Sequence, residues 1–292
     1  MKKTIMIPVG AYAMALALGV SAVDWPAAGA PLQSSFGQNK KGRPSVGLDF
    51  SGDEAVRSVD AGEVLFVGTG GERATDRGTF PFTLGDWIAI DHGNNIVTSY
   101  GHLQTLENQA AKTLVEKGSV LGRSGASGWA EEAGFYFSVL DRAERRWVNP
   151  AMLAPARTDT KTPVIRSVIL VAKDGASHAL PASRILKQGD YRIVVDAVDS
   201  ENSSAALLAP QQIVCLINGQ QQGSLHLETI TAKEGELMVS RIGPTPATQA
   251  YTASGSFDLG EARLTRGRAT IELIVRDSIG NERIAAYTLQ IE

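Results

Sequence analysis

The chain has 292 residues, enough for two domains of ordinary size. It is 43% hydrophobic with 30 glycines and few charged helical repeats, which leans the composition toward β structure. A formal charge of −3 without basic clusters argues against a partner in nucleic acid or an anionic membrane surface.

The first residues read as a targeting segment. Lys2 and Lys3 precede an apolar run over residues 4–20, and Val20-Ser21-Ala22 meets the small-residue rule for signal-peptidase cleavage. Residues 1–22 are therefore expected to be a signal peptide cut after Ala22, with the rest exported to the periplasm or cell envelope. A retained anchor is the competing reading, but the run is short for a span and soon meets Asp24 and Pro26. No cysteine follows the run, which argues against a lipid anchor. Loss of Lys2 and Lys3 would take the formal charge from −3 to about −5.

Residues 23–154 show short β-type runs punctuated by glycine, at 63–67, 87–90, 96–100, 120–123 and 135–140. Asp91-His92-Gly93-Asn94-Asn95 has hairpin-turn composition, and residues 103–115 are the single stretch that reads as a helix. Residues 155–163, PARTDTKTP, read as a proline-bounded linker. Seven further runs follow in 164–292, at 164–171, 191–198, 212–218, 225–230, 254–259, 269–276 and 283–291, as in an immunoglobulin-like sandwich. Cys215, the one cysteine, sits in the apolar run Ile213–Ile217 and reads as a buried core thiol.

A set of motifs in the first half carries a resemblance. In order they are Ser35-Phe36-Gly37, Gly47-Leu48-Asp49-Phe50, Val59-Asp60-Ala61-Gly62-Glu63-Val64, Trp87-Ile88-Ala89-Ile90-Asp91-His92-Gly93, Ser99-Tyr100-Gly101-His102-Leu103, Leu121-Gly122-Arg123-Ser124-Gly125 and Val148-Asn149-Pro150. Together they resemble the lysostaphin/LytM zinc endopeptidases, which cut peptide cross-links in peptidoglycan. The resemblance spans residues 25–153 and implies a mainly β fold, the duplicated hybrid motif.

In that family zinc is held by a histidine, an aspartate four residues later, and the second histidine of a His-x-His strand. Three protein ligands leave a fourth position for a water that the metal acidifies. The first histidine of His-x-His and another in an earlier strand orient or polarise the water. Carried onto this chain, the ligand positions are Ser45, Asp49 and Tyr136, and the two auxiliary positions are Gly134 and His102. Of the five, Asp49 and His102 keep the family residue. The chain has four histidines, His92, His102, His178 and His226, so no shift of register produces His-x(3)-Asp or His-x-His.

Glu131, Glu132 and the Tyr136 phenol could serve as substitute ligands in principle, although a phenol with a pKa near 10 is a poor one. The bland roles are that Asp49 accepts backbone N–H bonds, that His102 holds a neighbouring loop and titrates like a surface histidine, and that the Tyr136 hydroxyl bonds Asp49 or Ser45. The loop GRSGASG, residues 122–128, lacks the spacing of a nucleophile elbow or a phosphate loop and reads as a tight turn. Residues 68–77 read as a loop with a charged rim.

The expectation is thus an envelope module with a degenerate, metal-free site at Ser45, Asp49, His102, Gly134 and Tyr136. Degenerate relatives in the wider family activate peptidoglycan amidases, so a peptidoglycan peptide or a wall hydrolase is the expected partner. The known activators commonly carry a coiled coil or a wall-binding repeat, and neither is present here. The alternatives are an active zinc endopeptidase with an atypical metal site, and a purely structural envelope protein.

Overall fold

The computed structural model describes residues 23–40, 42–69, 83–107 and 113–292. The expected signal peptide and most of the charged rim lie outside them. No helix among the described residues is long and apolar enough to cross a membrane.

The first half is built from twelve strands: β1 Leu32–Ser34, β2 Asn39–Lys40, β3 Arg43–Pro44, β4 Leu48–Ser51, β5 Ala55–Arg57, β6 Gly62–Gly68, β7 Asp86–Asp91, β8 Ile96–Leu106, β9 Leu114–Val115, β10 Val120–Ser124, β11 Gly134–Asp141 and β12 Arg146–Val148. All pair antiparallel, in the order β1-β4-β11-β8-β7-β6-β9. The expected helix over 103–115 is not formed. Residues 103–106 continue β8 and pair with β10, and Leu114–Val115 form β9; residues 108–112 lie outside the described set. Helical periodicity loses here because Leu103 is fully buried on the sheet and its neighbours complete a ladder.

Period-two alternation sorts the central strands into two faces. Leu48, Phe50, Phe135 and Phe137 are buried on one side. Phe50 stacks on Phe135 at 4.7 Å, and Tyr100 lies 5.3 Å from Phe137. Asp49 and Tyr136, the residues between them, are directly opposed across β4 and β11 and so share the other face.

The second half has eleven strands: β13 Val164–Ala172, β14 Ser177–Leu180, β15 Ile185–Leu186, β16 Gly189–Val198, β17 Gln212–Ile217, β18 Gln220–Lys233, β19 Glu236–Ser240, β20 Pro244–Pro246, β21 Phe257–Leu264, β22 Gly267–Arg276 and β23 Glu282–Ile291. One sheet runs β14-β13-β16-β21; the other runs β15-β23-β22-β17-β18-β19-β20. Cys215 is buried within the core, where burial pushes its thiol up to about 12.

The halves are joined by more than the chain between them. β12 pairs with β18 through Arg146–Thr231, Trp147–Ile230 and Val148–Thr229, so one ladder runs from the first half into the second. The Tyr251 hydroxyl donates to Gly37 O at 2.6 Å, and Asn149 Nδ2 donates to Leu227 O at 3.1 Å. Residues 155–163 have no regular secondary structure, yet the Trp25 indole donates to Pro155 O at 2.8 Å. Arg157 sits 5.4 Å from the Trp25 ring and donates to Glu201 at 2.9 Å.

Candidate functional site

Asp49 occupies the middle of β4, 7% exposed, with Tyr136 opposite it on β11. Its partner is Lys40. The Lys40 ammonium bonds Asp49 Oδ2 directly, from the short hairpin formed by β2 and β3. Lys40 is half-exposed along its length while the carboxylate is nearly buried, so the lysine stem spans from solvent to the site. The expectation of backbone donors or a phenol on Asp49 is thereby corrected: an ammonium satisfies the acid.

Lys40 gives no sign in the sequence of a site residue, since two adjacent lysines match no motif. The hairpin register is what delivers it. Gly37 donates to Ser45 O and Ser45 donates to Gln38 O, both at 2.8 Å, which closes the hairpin beside β4.

Ser45 is buried, but its Oγ turns to the backbone and donates to Gly47 O at 2.9 Å. Tyr136 does not bond it. The tip of the phenol instead lies over Gly47, where an added Cβ would stand 2.5 Å from Tyr136 Cζ and 2.5 Å from Phe137 O. Glycine at 47 is therefore required by the tyrosine's own position. Burial pushes the phenol above its ordinary range, a hydrogen bond with Ser138 opposes this, and the charge of Asp49 adds to it. Gly134 is also closed to side chains, because a Cβ there would sit 1.8 Å from Phe50 O.

His102 sits where β8 changes partners. Its φ is +62°, and the β7–β8 register slips around it, so it is the extra residue of a bulge. Histidine is among the few residues enriched in this left-handed region. Its N–H donates to Leu84 O at 2.6 Å, and its Nδ1 donates to Ser127 O at 3.0 Å. The loop after β10 is thus seated on the histidine, and the neutral ring carries its proton on Nδ1. The ring meets Tyr136 edge-on at 6.2 Å. Burial lowers the His102 pKa below the ordinary value; Ser127 O and Asp49 oppose this, and Lys40 reinforces it. Titration like a surface histidine is therefore corrected.

The structure brings Asp49, Tyr136 and His102 together with Lys40, and sets Ser45 and Gly134 at their edge. Glu131 and Glu132 are exposed. Of the other histidines, His92 donates from Nδ1 to Ala61 O at 2.8 Å, just before β6, and His178 and His226 lie in the second half. Among the described residues, one group of three carboxylate, imidazole or thiol side chains could share a cation, and it lies elsewhere: Asp159, Asp199 and Asp277.

Residues 43–150 match the model of peptidase family M23, and residues 162–292 match a second family model. Residues 43–150 are accordingly a peptidase M23 domain of the LytM type. No curated protein matches the chain. Among solved structures, a putative M23 peptidase from Pseudomonas aeruginosa is 24% identical, covering 50% of this chain and 60% of that one, with a TM-score of 0.36. A zinc-containing peptidase from Vibrio cholerae is 24% identical over 47% of this chain and 41% of its own, with a TM-score of 0.35. The catalytic domain of lysostaphin from Staphylococcus simulans is 17% identical over 39% of this chain and 81% of its own, with a TM-score of 0.32. This chain therefore spans less than two thirds of the first two.

Proposed function

We propose that this protein is an exported envelope module whose M23 domain has exchanged its zinc centre for an internal ion pair and acts by binding. The observation that carries this reading is Lys40 on Asp49. Zinc sites need several deprotonated N, S or O ligands converging on one point. Here the only family ligand retained is Asp49, and a positive side chain already bonds it. The Ser45 hydroxyl faces the backbone, and the Tyr136 phenol is held protonated at neutral pH by burial. These residues do not fit zinc.

What survives is the strand framework. An extended peptide could lie along such walls by main-chain pairing, so a peptidoglycan stem peptide, or a segment of a wall hydrolase, is the ligand we infer. Export rests on Lys2, Lys3 and the apolar run up to Ala22. The second half, read as an immunoglobulin-like sandwich, would be the spacer or second docking surface.

The test is metal analysis of the purified protein, alongside incubation with cross-linked sacculi. We expect no bound zinc, no released peptides, and co-sedimentation with sacculi or capture of an amidase. Stoichiometric zinc that disappears in Asp49→Ala would overturn the exchange. Loss of both binding results, in a folded protein, would leave the purely structural role in place of the binding one.

A further inference from the structure

Asp159 lies in the segment joining the halves, Asp199 follows β16, and Asp277 follows β22. One carboxylate oxygen from each lies within 4.8 Å of the others. Two members are already held in place by donors. Asp277 Oδ1 accepts from the backbone of Ile279, Gly280 and Asn281 at 2.9, 2.7 and 2.8 Å, and Asp159 Oδ1 accepts from Lys161 and Asn202 at 3.1 and 3.0 Å.

Asp199 differs. It is 8% exposed, and its Oδ1 is buried without a hydrogen-bond partner. The same is true of Gln211 Oε1, and both residues line one cavity of about 30 Å³, together with Asp159, Glu201 and Asp277. Two orphaned acceptors facing one cavity are unusual, because buried polar atoms are nearly always paired.

The nearby cations do not answer this need. Arg157 spends its guanidinium on Glu201 and Ala30 O, and Lys161 Nζ donates to Glu201 O at 2.7 Å. Among the described residues, no lysine or arginine forms an ion pair with Asp159, Asp199 or Asp277. Burial, followed by the charges of Asp277, Asp159 and Glu201, pushes Asp199 up to about 7 against a backbone bond from Ser200. Such a group calls for a proton or a metal ion.

We propose that Asp159, Asp199 and Asp277, with Gln211 facing the same cavity, form a divalent cation site of the calcium type that fastens the joining segment to the second half. The donor set is all oxygen, which suits a hard cation and not zinc or copper. Acids from three separate loops plus a neutral amide suit the irregular, higher coordination of calcium better than the octahedron of magnesium. The cavity has room for an ion and a water. Its other wall is the first half of the chain, through Leu32, Phe36 and Leu48, so occupancy would stiffen the arrangement of the two halves. This site does not depend on the state of Asp49.

The experiment uses the whole protein after chelation, titrated with calcium chloride, magnesium chloride or zinc chloride. Readouts are calorimetric binding, Tm, and the rate of tryptic cleavage after Arg157 and Lys161. Calcium is expected to bind one-to-one, raise the Tm and slow cleavage at least tenfold, with magnesium weaker. Asp199→Asn and Asp159→Asn should each lower calcium affinity tenfold or more while remaining folded; Asp159 is the safer variant because it is less buried and, unlike Asp199, forms no β-bridge. No response to calcium at about 10 mM, above the affinities of weak extracellular sites, would overturn the proposal. So would an undiminished response in both variants. A chelated Asp199→Asn protein that is more stable than the parent, with no calcium response in either, would mean a shared proton fills the role, and it too would overturn it.

Discussion

The ammonium of Lys40 bonds the carboxylate of Asp49, nine residues later and across a hairpin, on the sheet face that Asp49 shares with Tyr136. A unit charge on a flexible stem satisfies this nearly buried acid. Breaking such a pair from one side leaves a buried charge, which costs more than the pair itself contributes.

Lys40→Met should therefore destabilise the protein by about 2 kcal/mol, between the values for exposed and fully buried pairs. Lys40→Met with Asp49→Asn should recover most of the loss. Urea denaturation of both variants checks this, and a double variant no better than the single would refute the pairing argument.

Gly47 is expected to be intolerant of a methyl group. Gly47→Ala forces a Cβ to within 2.5 Å of both Tyr136 Cζ and Phe137 O, one of which is backbone and cannot turn away. A loss of about 1–3 kcal/mol, typical of overpacking, should appear in thermal melts. An unchanged Tm would mean that Tyr136 does not rest on Gly47.

His102 links stability to pH. Its folded pKa is lowered, so between the unfolded value of 6.5 and the folded value the unfolded chain binds more protons. Its contribution is intact above pH 6.5 and is lost as the pH falls through that window. His102→Asn, which tolerates the positive φ, should flatten the acid limb of the stability curve. Denaturation midpoints at pH 5 and pH 7 would show this, and an equal slope in parent and variant would exclude His102 as the source.

Asp199 has the opposite sign. Raised from 3.8 to about 7 in the folded state, it is protonated there while the unfolded chain is ionised. In chelated protein its contribution is present below pH 3.8 and is lost as the pH rises toward 7. Asp199→Asn should remove that loss, as read by Tm across pH 4 to 8 relative to the parent.

The junction should be sensitive to Leu227. It is 1% exposed, and its Cδ1 lies where a Cβ on Gly37 would fall within 2.6 Å, so leucine packs directly on glycine backbone. Leu227→Ala should cost about 2–5 kcal/mol and speed proteolysis within residues 155–163. Unchanged proteolysis would mean the halves are not held together there.

Much of this was legible in the residues. Alternation and glycine spacing located β6, β7, β10, β11 and most strands of the second half, because those signals are local. Residues 103–106 were misread as helix because the strand is completed by pairing with β10, and that contact is distant in sequence. Asp49, Tyr136 and His102 occupy motif positions and stand together in the fold, whereas Lys40, which joins them, belongs to no motif. Asp159, Asp199 and Asp277 carried no signal either, since isolated aspartates in loops are commonplace.

By itself, the sequence determined which side chains are available to the domain. The chain has four histidines, and neither His-x(3)-Asp nor His-x-His occurs in it, whatever the fold. Which of those side chains meet only the tertiary structure decided. A hairpin register carries an ammonium onto a buried acid, and three loops separated by tens of residues converge on orphaned oxygens. The difference is physical: a missing donor is a property of composition, whereas a satisfied or unsatisfied charge depends on which distant groups the packing brings within reach.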